Sequence, residues 1–272
     1  MNPFDFAAPT YDTDFTNSVT GKAQRKIIHR YFKKHIKEDS SVLEINCGTG
    51  EDAFFLASMG CKVLATDGSA EMIKISLDKA VKKSVGENPA FARKSFDDLK
   101  ELTFRGPFDL CFSNFSGLNC INPSAIKKLS EDIHPLIKPK GSLILVLFGT
   151  KCLWERIYML VKGRSGDINR RRNRSLFIPT GQNRSGVIDQ NPGNGLTIYY
   201  YKPGEIKRLL SQNFEYVRSK PIGFSLPPGY LENFFKTKPG FMRLLGFHES
   251  ISGKFSFLSD WADHYLIEFR RR

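Results

Sequence analysis

The sequence predicts an α/β fold in which a parallel sheet is covered by helices on both faces. Short apolar runs alternate with segments of helical period through the first 150 residues, the pattern of successive strand–helix–strand units. A glycine-bearing turn, Cys47-Gly48-Thr49-Gly50, joins the first such strand to its helix. The most apolar run, Ser142 to Phe148 (SLILVLF), is long enough for a strand buried on both faces and too short for a helix of typical length.

Residues 21 to 36 place Ile27, Ile28, Tyr31, Phe32 and Ile36 near helical spacing with basic residues between them, an amphipathic lead-in helix. SSVLEIN is the first strand and EDAFFLASMG the helix after it, stopped at Gly60. Lys62 to Thr66 is a second strand, followed by Asp67-Gly68 and a helix from about Ser69, a natural N-cap. Pro89 to Arg93 is a third strand, Phe108 to Ser113 a fourth, Ser124 to Ile137 a helix, and SLILVLF the fifth strand. Beyond residue 150 the rhythm changes. A helix over Lys151 to Lys162 leads into Gly163 to Gly195, rich in Arg, Asn and Gly, with a basic cluster at Arg170, Arg171, Arg172 and Arg174. A strand (LTIYYY), a helix over Pro203 to Gln212 and a strand from Phe214 follow. Pro221 to Phe257 is a second insertion, and HYLIEF closes the chain as a strand.

The 272 residues carry a net charge of +13 with 25% charged and 40% hydrophobic residues, ordinary for a globular protein apart from the charge. That charge favours anionic partners: an acidic carrier protein, a membrane surface or nucleic acid, unless the lysines are merely solvated. No apolar run is long enough to span a bilayer, and Met1 to Thr20 lacks the basic start and apolar block of a secretion signal. Five cysteines without a close pair argue against a disulfide framework and a zinc site, and for a reducing cytoplasm.

The chemistry concentrates in Glu44 to Asp52. A dinucleotide-binding turn fits poorly, because Asn46 and Glu51 stand where the first and third glycines of that motif belong. Glu44, Glu51 and Asp52 also make the site acidic, which repels a pyrophosphate and suits a cationic ligand. Asp67, seventeen positions after Gly50, lies near the offset of about 20 residues at which a carboxylate accepts ribose hydroxyls. An aspartate before Gly68 also makes a turn, and both readings stand.

The segments VLEINCGTG, VLATDGSAEMI, FDLCFSNFSGLN and LIKPKGSLILV resemble the successive signature segments of class I S-adenosylmethionine-dependent methyltransferases, over about residues 40 to 150. The resemblance implies a Rossmann-like sheet of seven strands, mostly parallel with an antiparallel last strand, helices on both faces, and S-adenosylmethionine as cofactor. It implies one domain over residues 1–272. Residues 1–38 would cover the cofactor, 39–150 would bind it, and 151–195 and 221–258 would be lid-like insertions. Glu44 and the Asn46, Cys47, Gly48 and Gly50 backbone would face the methionine moiety. Asp67 would hold the ribose, Met72 or its neighbours would lie against the adenine, Asp97, or Asp98 instead, would meet its amino group, and Gly68 and Phe96 would be among the cofactor-binding residues. Asp97 and Asp98 serve equally as a helix cap. Ser113 and Asn114 would end the fourth strand beside the departing methyl group. Tyr11 with Asp12, and Arg25, resemble a covering N-terminal segment; Arg25 is a candidate partner of the methionine carboxylate, or a solvated helix residue. Asn46 departs from the family, which has glycine there.

The acceptor is less determined. Ser113-Asn114-Phe115-Ser116 differs from the NPPY-type segment of enzymes that methylate base amines and is similar to that of bacterial small-molecule methyltransferases, implying a small-molecule acceptor, apolar or anionic. Phe224, Leu226, Tyr230, Phe234 and Phe235 either line an apolar pocket for it or pack the insertion. Tyr11, His248 and His264 are candidate bases, and no metal cluster appears. The Arg170–Arg174 run is a solvated loop, a docking patch for an acidic carrier or membrane, or an RNA contact. An RNA or protein methyltransferase, and a noncatalytic cofactor-binding protein, remain alternatives.

Overall fold

A computed structural model describes residues 2–83, 89–173, 175–179 and 195–272. Nine helices are described, α1 (Pro3–Tyr11), α2 (Val19–His35), α3 (Glu51–Ser58), α4 (Ala70–Lys82), α5 (Pro123–Ile133), α6 (Leu153–Val161), α7 (Pro203–Leu210), α8 (Glu232–Phe235) and α9 (Pro239–Ser252). The strands are β1 (Ser41–Ile45), β2 (Lys62–Asp67), β3 (Ala90–Arg93), β4 (Phe108–Ser113), β5 (Ile137–Phe148), β6 (Ser175–Pro179), β7 (Gly195–Tyr199), β8 (Phe214–Ile222) and β9 (His264–Arg271).

Seven strands form one sheet in the order β3-β2-β1-β4-β5-β9-β8. β9 runs antiparallel to both of its neighbours, and the pairings from β3 to β5 are parallel. This is the Rossmann-like sheet that the sequence resemblance implies. Side chains alternate across a strand, so each strand feeds two cores. Leu43, Cys111, Leu145 and Ile267 face α5 and α7, while Val42, Leu110, Ile144 and Leu266 face α2 and α3. A sheet buried on both sides needs strands apolar throughout, the character of SLILVLF.

β6 and β7 pair antiparallel in a separate ribbon, so LTIYYY, expected as a strand, leaves the main sheet. Two of the four arginines of the basic cluster are engaged internally rather than solvated. Arg171 is buried, its Nε 3.0 Å from Glu155 Oε2 and its Nη2 2.8 Å from Asp263 Oδ1. Arg170 bonds Glu155 with Nε at 2.8 Å and Nη2 at 3.0 Å. These two arginines tie the first insertion to α6 and to the start of β9 and are spent on internal carboxylates. Arg172 is exposed, and Arg174 lies outside the described residues.

The second insertion packs on the lead-in helix. Leu226, Phe235 and Met242 form a small core with Trp154 and Ile27 against it. Glu232 accepts from the Val19 N–H at 2.7 Å and the Thr20 N–H at 3.0 Å, placing a carboxylate on the positive end of α2. Tyr230 and Phe234 are exposed.

Candidate active site

β1 delivers its C-terminal residues to the carboxyl edge of the sheet, and the turn beyond it is held by unusual backbone. Asn46 takes φ 55° and Gly48 φ 56°. Asparagine tolerates this left-handed region better than most residues, which accounts for Asn46 where the family has glycine. Its side chain is then used: Nδ2 donates to the Asn114 carbonyl at 2.9 Å, and Oδ1 accepts from Ser113 Oγ at 2.6 Å. The turn after β1 is thereby tied to the end of β4. Gly50, at φ 80°, lies so close to Phe91 that a Cβ would stand 2.8 Å from the ring.

A cavity of about 370 Å³ opens along this edge, within the range of small-ligand sites. Asp67 lines it. Its Oδ2 accepts from the Gly48 N–H at 2.9 Å and its Oδ1 from the Ser69 N–H at 2.8 Å, so the carboxylate is rigidly aimed. Each oxygen retains a second lone pair for a ligand hydroxyl. Burial raises the Asp67 carboxyl above its ordinary range, against those hydrogen bonds. Met72, Phe96 and Leu99 wall one end, beside Gly68 and Ser95. They form an apolar slot of the kind that suits a flat ring.

Next to the cavity, Tyr11, Glu44, Asn46, Gly48 and Asn114 surround a smaller recess. Glu44 is buried, and its Oε2 has no hydrogen-bond partner. Burial, with the neighbouring Asp52, pushes its carboxyl well above the ordinary value. A buried acceptor without a donor is costly, and a ligand ammonium supplies both the donor and the charge. Tyr11 packs on Gly48, close enough that a Cβ there would sit 3.6 Å from the ring. Burial pushes its hydroxyl up to about 12.

Several candidates stand elsewhere than expected. Arg25 is buried rather than solvated and faces the protein's own carboxylate: its Nη1 is 2.5 Å from Asp52 Oδ2, and its guanidinium lies 4.8 Å from the Phe115 ring centre. It lines the recess, but the reading in which it pairs with a ligand carboxylate competes with Asp52. Asp52 also bonds His29 Nε2 at 2.7 Å and Asn114 Nδ2 at 2.7 Å. Burial works to raise Asp52, yet Arg25 and His29 outweigh it and hold it below the usual carboxylate range. The acidity inferred from Glu44, Glu51 and Asp52 is therefore smaller than their number implies, because Asp52 is neutralised internally.

Asp97 turns outward with its side chain 85% exposed, 3.1 Å from Lys128 Nζ, and does not line the cavity. Asp98 caps its own turn through Ser95, so the cap reading holds for it. Phe96, between Ser95 and Asp97, is the residue that reaches the cavity. The turn is 3-10, with three residues per revolution, so adjacent side chains diverge widely. Cys47 is buried and lines the recess beside Gly48, as expected, and Ser113 is engaged with Asn46. His264 is buried and stacked on Phe148 at 4.4 Å, while His248 is exposed on α9, and neither lines the cavity.

The sequence reading missed Asn2, Pro3 and Phe4, which close the cavity from α1. Asn2 caps α1 and forms a reciprocal box with Asp5, while Asp5 Oδ1 accepts from Ser69 Oγ at 2.6 Å. The spacing Asn2-Pro3-x-x, with an acid at position 5, is a helix-start signal that was available in the sequence. Leu196 of β7, Cys120 and Ile121 complete the mouth, and no local signal marks them.

Residues 42–141 match the model of a methyltransferase domain family. An uncharacterized protein of Methanocaldococcus jannaschii is 30% identical over 145 residues, 53% of this chain and 49% of that protein. A ribosomal protein arginine N-methyltransferase of Schizosaccharomyces pombe is 26% identical over 125 residues, 46% of this chain and 22% of its own length. The chain thus spans half or less of these relatives. A structure of an S-adenosylmethionine-dependent methyltransferase of Methanosarcina mazei superposes with TM-score 0.57 at 19% identity, covering 90% of this chain and 96% of that one, a likeness of fold. The match marks residues 42–141 as a methyltransferase domain, and the sheet order with the Asp67-lined cavity at its carboxyl edge is that of the Rossmann-like methyltransferase fold, whose cofactor is S-adenosylmethionine.

Proposed function

We propose that this protein moves a methyl group from S-adenosylmethionine to a small-molecule acceptor by in-line displacement. The observation that carries the donor half is the buried, unpartnered Glu44 Oε2 beside Gly48, one recess away from the doubly anchored Asp67. On this reading Glu44 takes the ammonium of the donor, Asp67 its ribose hydroxyls, and the Met72–Phe96–Leu99 slot its adenine. The sulfonium supplies an already activated methyl carbon, so the chain's task is to align the acceptor and exclude water.

The acceptor half is supported by the apolar side chains of Phe115, Cys120, Ile121 and Leu196 that line the cavity. Phe115 and Ser116 adopt φ 42° and 69°, a sharp turn after β4 that brings Phe115 between cavity and recess. Two lining groups with titratable protons, Tyr11 and Cys120, are unsuited to act as bases at neutral pH. Burial raises Tyr11 and Cys120 each to about 12. With neither of these two as a base, an acceptor that presents its own lone pair, such as an amine or an ionised oxygen, is favoured. The arginine-modifying relative shares only 22% of its own length with the chain, so its acceptor does not carry over.

Equilibrium binding of S-adenosylmethionine tests the donor half. The wild-type protein is expected to bind in the micromolar range, and Asp67→Ala to weaken binding by about 10- to 100-fold, the worth of charged hydrogen bonds. Absence of wild-type binding would sink the proposal. Labelled methyl transfer into fractionated cell extract tests the acceptor half: label in the low-molecular-weight fraction supports it, and label confined to protein or RNA overturns it.

A further inference from the structure

α9 packs Met242 and Leu245 against the core of the second insertion and carries a second apolar side toward solvent. Its solvent side carries Phe241, Leu244, Phe247 and Ile251, exposed by 43, 51, 63 and 44%. Residues three and four apart share a helix side, so these form one continuous apolar stripe. The acid of the helix, Glu249, is on the buried side. Its carboxylate accepts the backbone N–H groups of Gly223 at 2.9 Å, Ser225 at 2.7 Å and Leu226 at 3.2 Å. Those three bonds fix the rotation of α9. Turning the stripe inward would strand a buried carboxylate and three backbone donors, so the apolar side faces out by construction.

Beside the stripe a groove of about 1070 Å³ runs between α2, β8 and α9. Lys26, Arg30 and Lys34 line it at four-residue intervals along α2, with Arg243 of α9 and Lys254 opposite. None of these five is ion-paired among the described residues. Glu249, the acid that borders the groove, is already occupied by backbone. An exposed aromatic–aliphatic stripe flanked by unpaired cations is the arrangement of helices that lie in a membrane interface.

We propose that this face docks the protein on an anionic lipid bilayer. The α9 stripe enters the boundary between headgroups and acyl chains, and the Lys26–Arg30–Lys34 line meets the anionic headgroups. No helix among the described residues is long and apolar enough to cross a membrane, so the contact is peripheral. Charge argues against a second copy as the occupant, because a two-fold contact over this face would bring two unpaired cationic lines together. An RNA strand would satisfy the cations and leave the Leu244 and Ile251 side chains without a complementary surface.

Vesicle flotation at two salt concentrations tests the proposal, with phosphatidylcholine alone and with phosphatidylcholine containing about one-third phosphatidylglycerol. The wild-type protein is expected to float with the anionic vesicles, less so at high salt. Leu244→Ser with Phe247→Ser is expected to lower that binding by about tenfold or more. Lys26→Gln with Arg30→Gln and Lys34→Gln is expected to remove the preference for anionic over neutral vesicles. All five positions are exposed or line the groove, and unchanged thermal unfolding verifies that the variants fold. The proposal is overturned if the wild type ignores anionic vesicles. It is equally overturned if the stripe variant floats like wild type while single-stranded RNA competes the protein off, or if the wild type is a dimer that the stripe variant splits. Donor binding plays no part in these readouts, so this result and that of the methyl-transfer test are independent.

Discussion

Arg171→Met is expected to lower stability by about 3–5 kcal/mol, the cost of leaving buried carboxylates without their partner. Methionine keeps much of the apolar stem, so the effect reports the guanidinium, its charge together with its hydrogen bonds. Arg171 holds Glu155 Oε2 at 3.0 Å and Asp263 Oδ1 at 2.8 Å, and its Nη1 also donates to the Asp263 carbonyl at 3.1 Å. Removing it leaves Arg170 to serve Glu155, while Asp263 keeps His264 Nδ1 at 3.2 Å. In thermal unfolding the loss amounts to roughly 10 °C for a chain of this size. A shift within a degree or two of wild type would show that the cluster is hydrated and adds little.

The same cluster sets an acid limit. Burial works to raise the Asp263 carboxyl, but His264 and Arg171 outweigh it and hold it well below its ordinary range. In Glu155, too, burial works upward and the arginines outweigh it. A carboxyl whose folded value is depressed contributes stability that is fully present above its unfolded value and lost as pH falls through the folded one. Wild-type stability should therefore fall steadily below about pH 4, where unfolded carboxyls bind protons and folded ones resist. Arg171→Met should flatten that dependence, and a parallel acid profile in wild type and variant would contradict the assignment.

Gly21→Ala should cost about 1–3 kcal/mol and weaken donor binding more than it weakens the sheet. A Cβ on Gly21 would overlap the Phe15 carbonyl oxygen and stand 2.8 Å from Ser18 Oγ. Phe15 and Ser18 belong to the bend that carries the chain from α1 back along α2, and Ser18 Oγ caps α2 by accepting from Gly21 N–H at 2.9 Å. Overlap with backbone is not relieved by a rotamer change, so the bend must move. Tyr11, Asn2 and Phe4 move with it, and they close the cavity. Limited proteolysis near the N-terminus and the affinity for S-adenosylmethionine are the two readouts. Faster cleavage with weaker affinity is expected. Wild-type affinity in a protein with a loosened N-terminus would show that α1 is no part of the donor site.

The sheet was legible because its information is local. Alternation of apolar runs with helical period marks the strands from β1 to β5, and Ser69 and Asn122 cap α4 and α5 as such residues do. Errors arose where a side chain's direction depends on a turn. Asp97 and Phe96 are adjacent, yet one pairs with Lys128 outside and the other enters the cavity, a divergence that sequence order leaves open. The number of acids near the turn overstates its charge for a related reason. Counting Glu44, Glu51 and Asp52 treats them alike, whereas Asp52 has Arg25, His29 and Asn114 around it and Glu44 keeps an unpartnered oxygen.

By itself the sequence determined the strand–turn–helix that presents Gly48, the aspartate that follows β2, and the antiparallel closing strand implied by the family resemblance. These depend on period, on backbone conformation at one or two residues, and on chain order, all of which are written along the chain. The tertiary structure alone decided which charges are available. It buried Arg171 between two carboxylates, set Arg25 against Asp52, and left Lys26, Arg30 and Lys34 unpaired beside an apolar helix side. A charge is neutralised by what packs against it in space, and residues hundreds of positions apart, such as Val19 and Glu232, become partners only after the chain has folded.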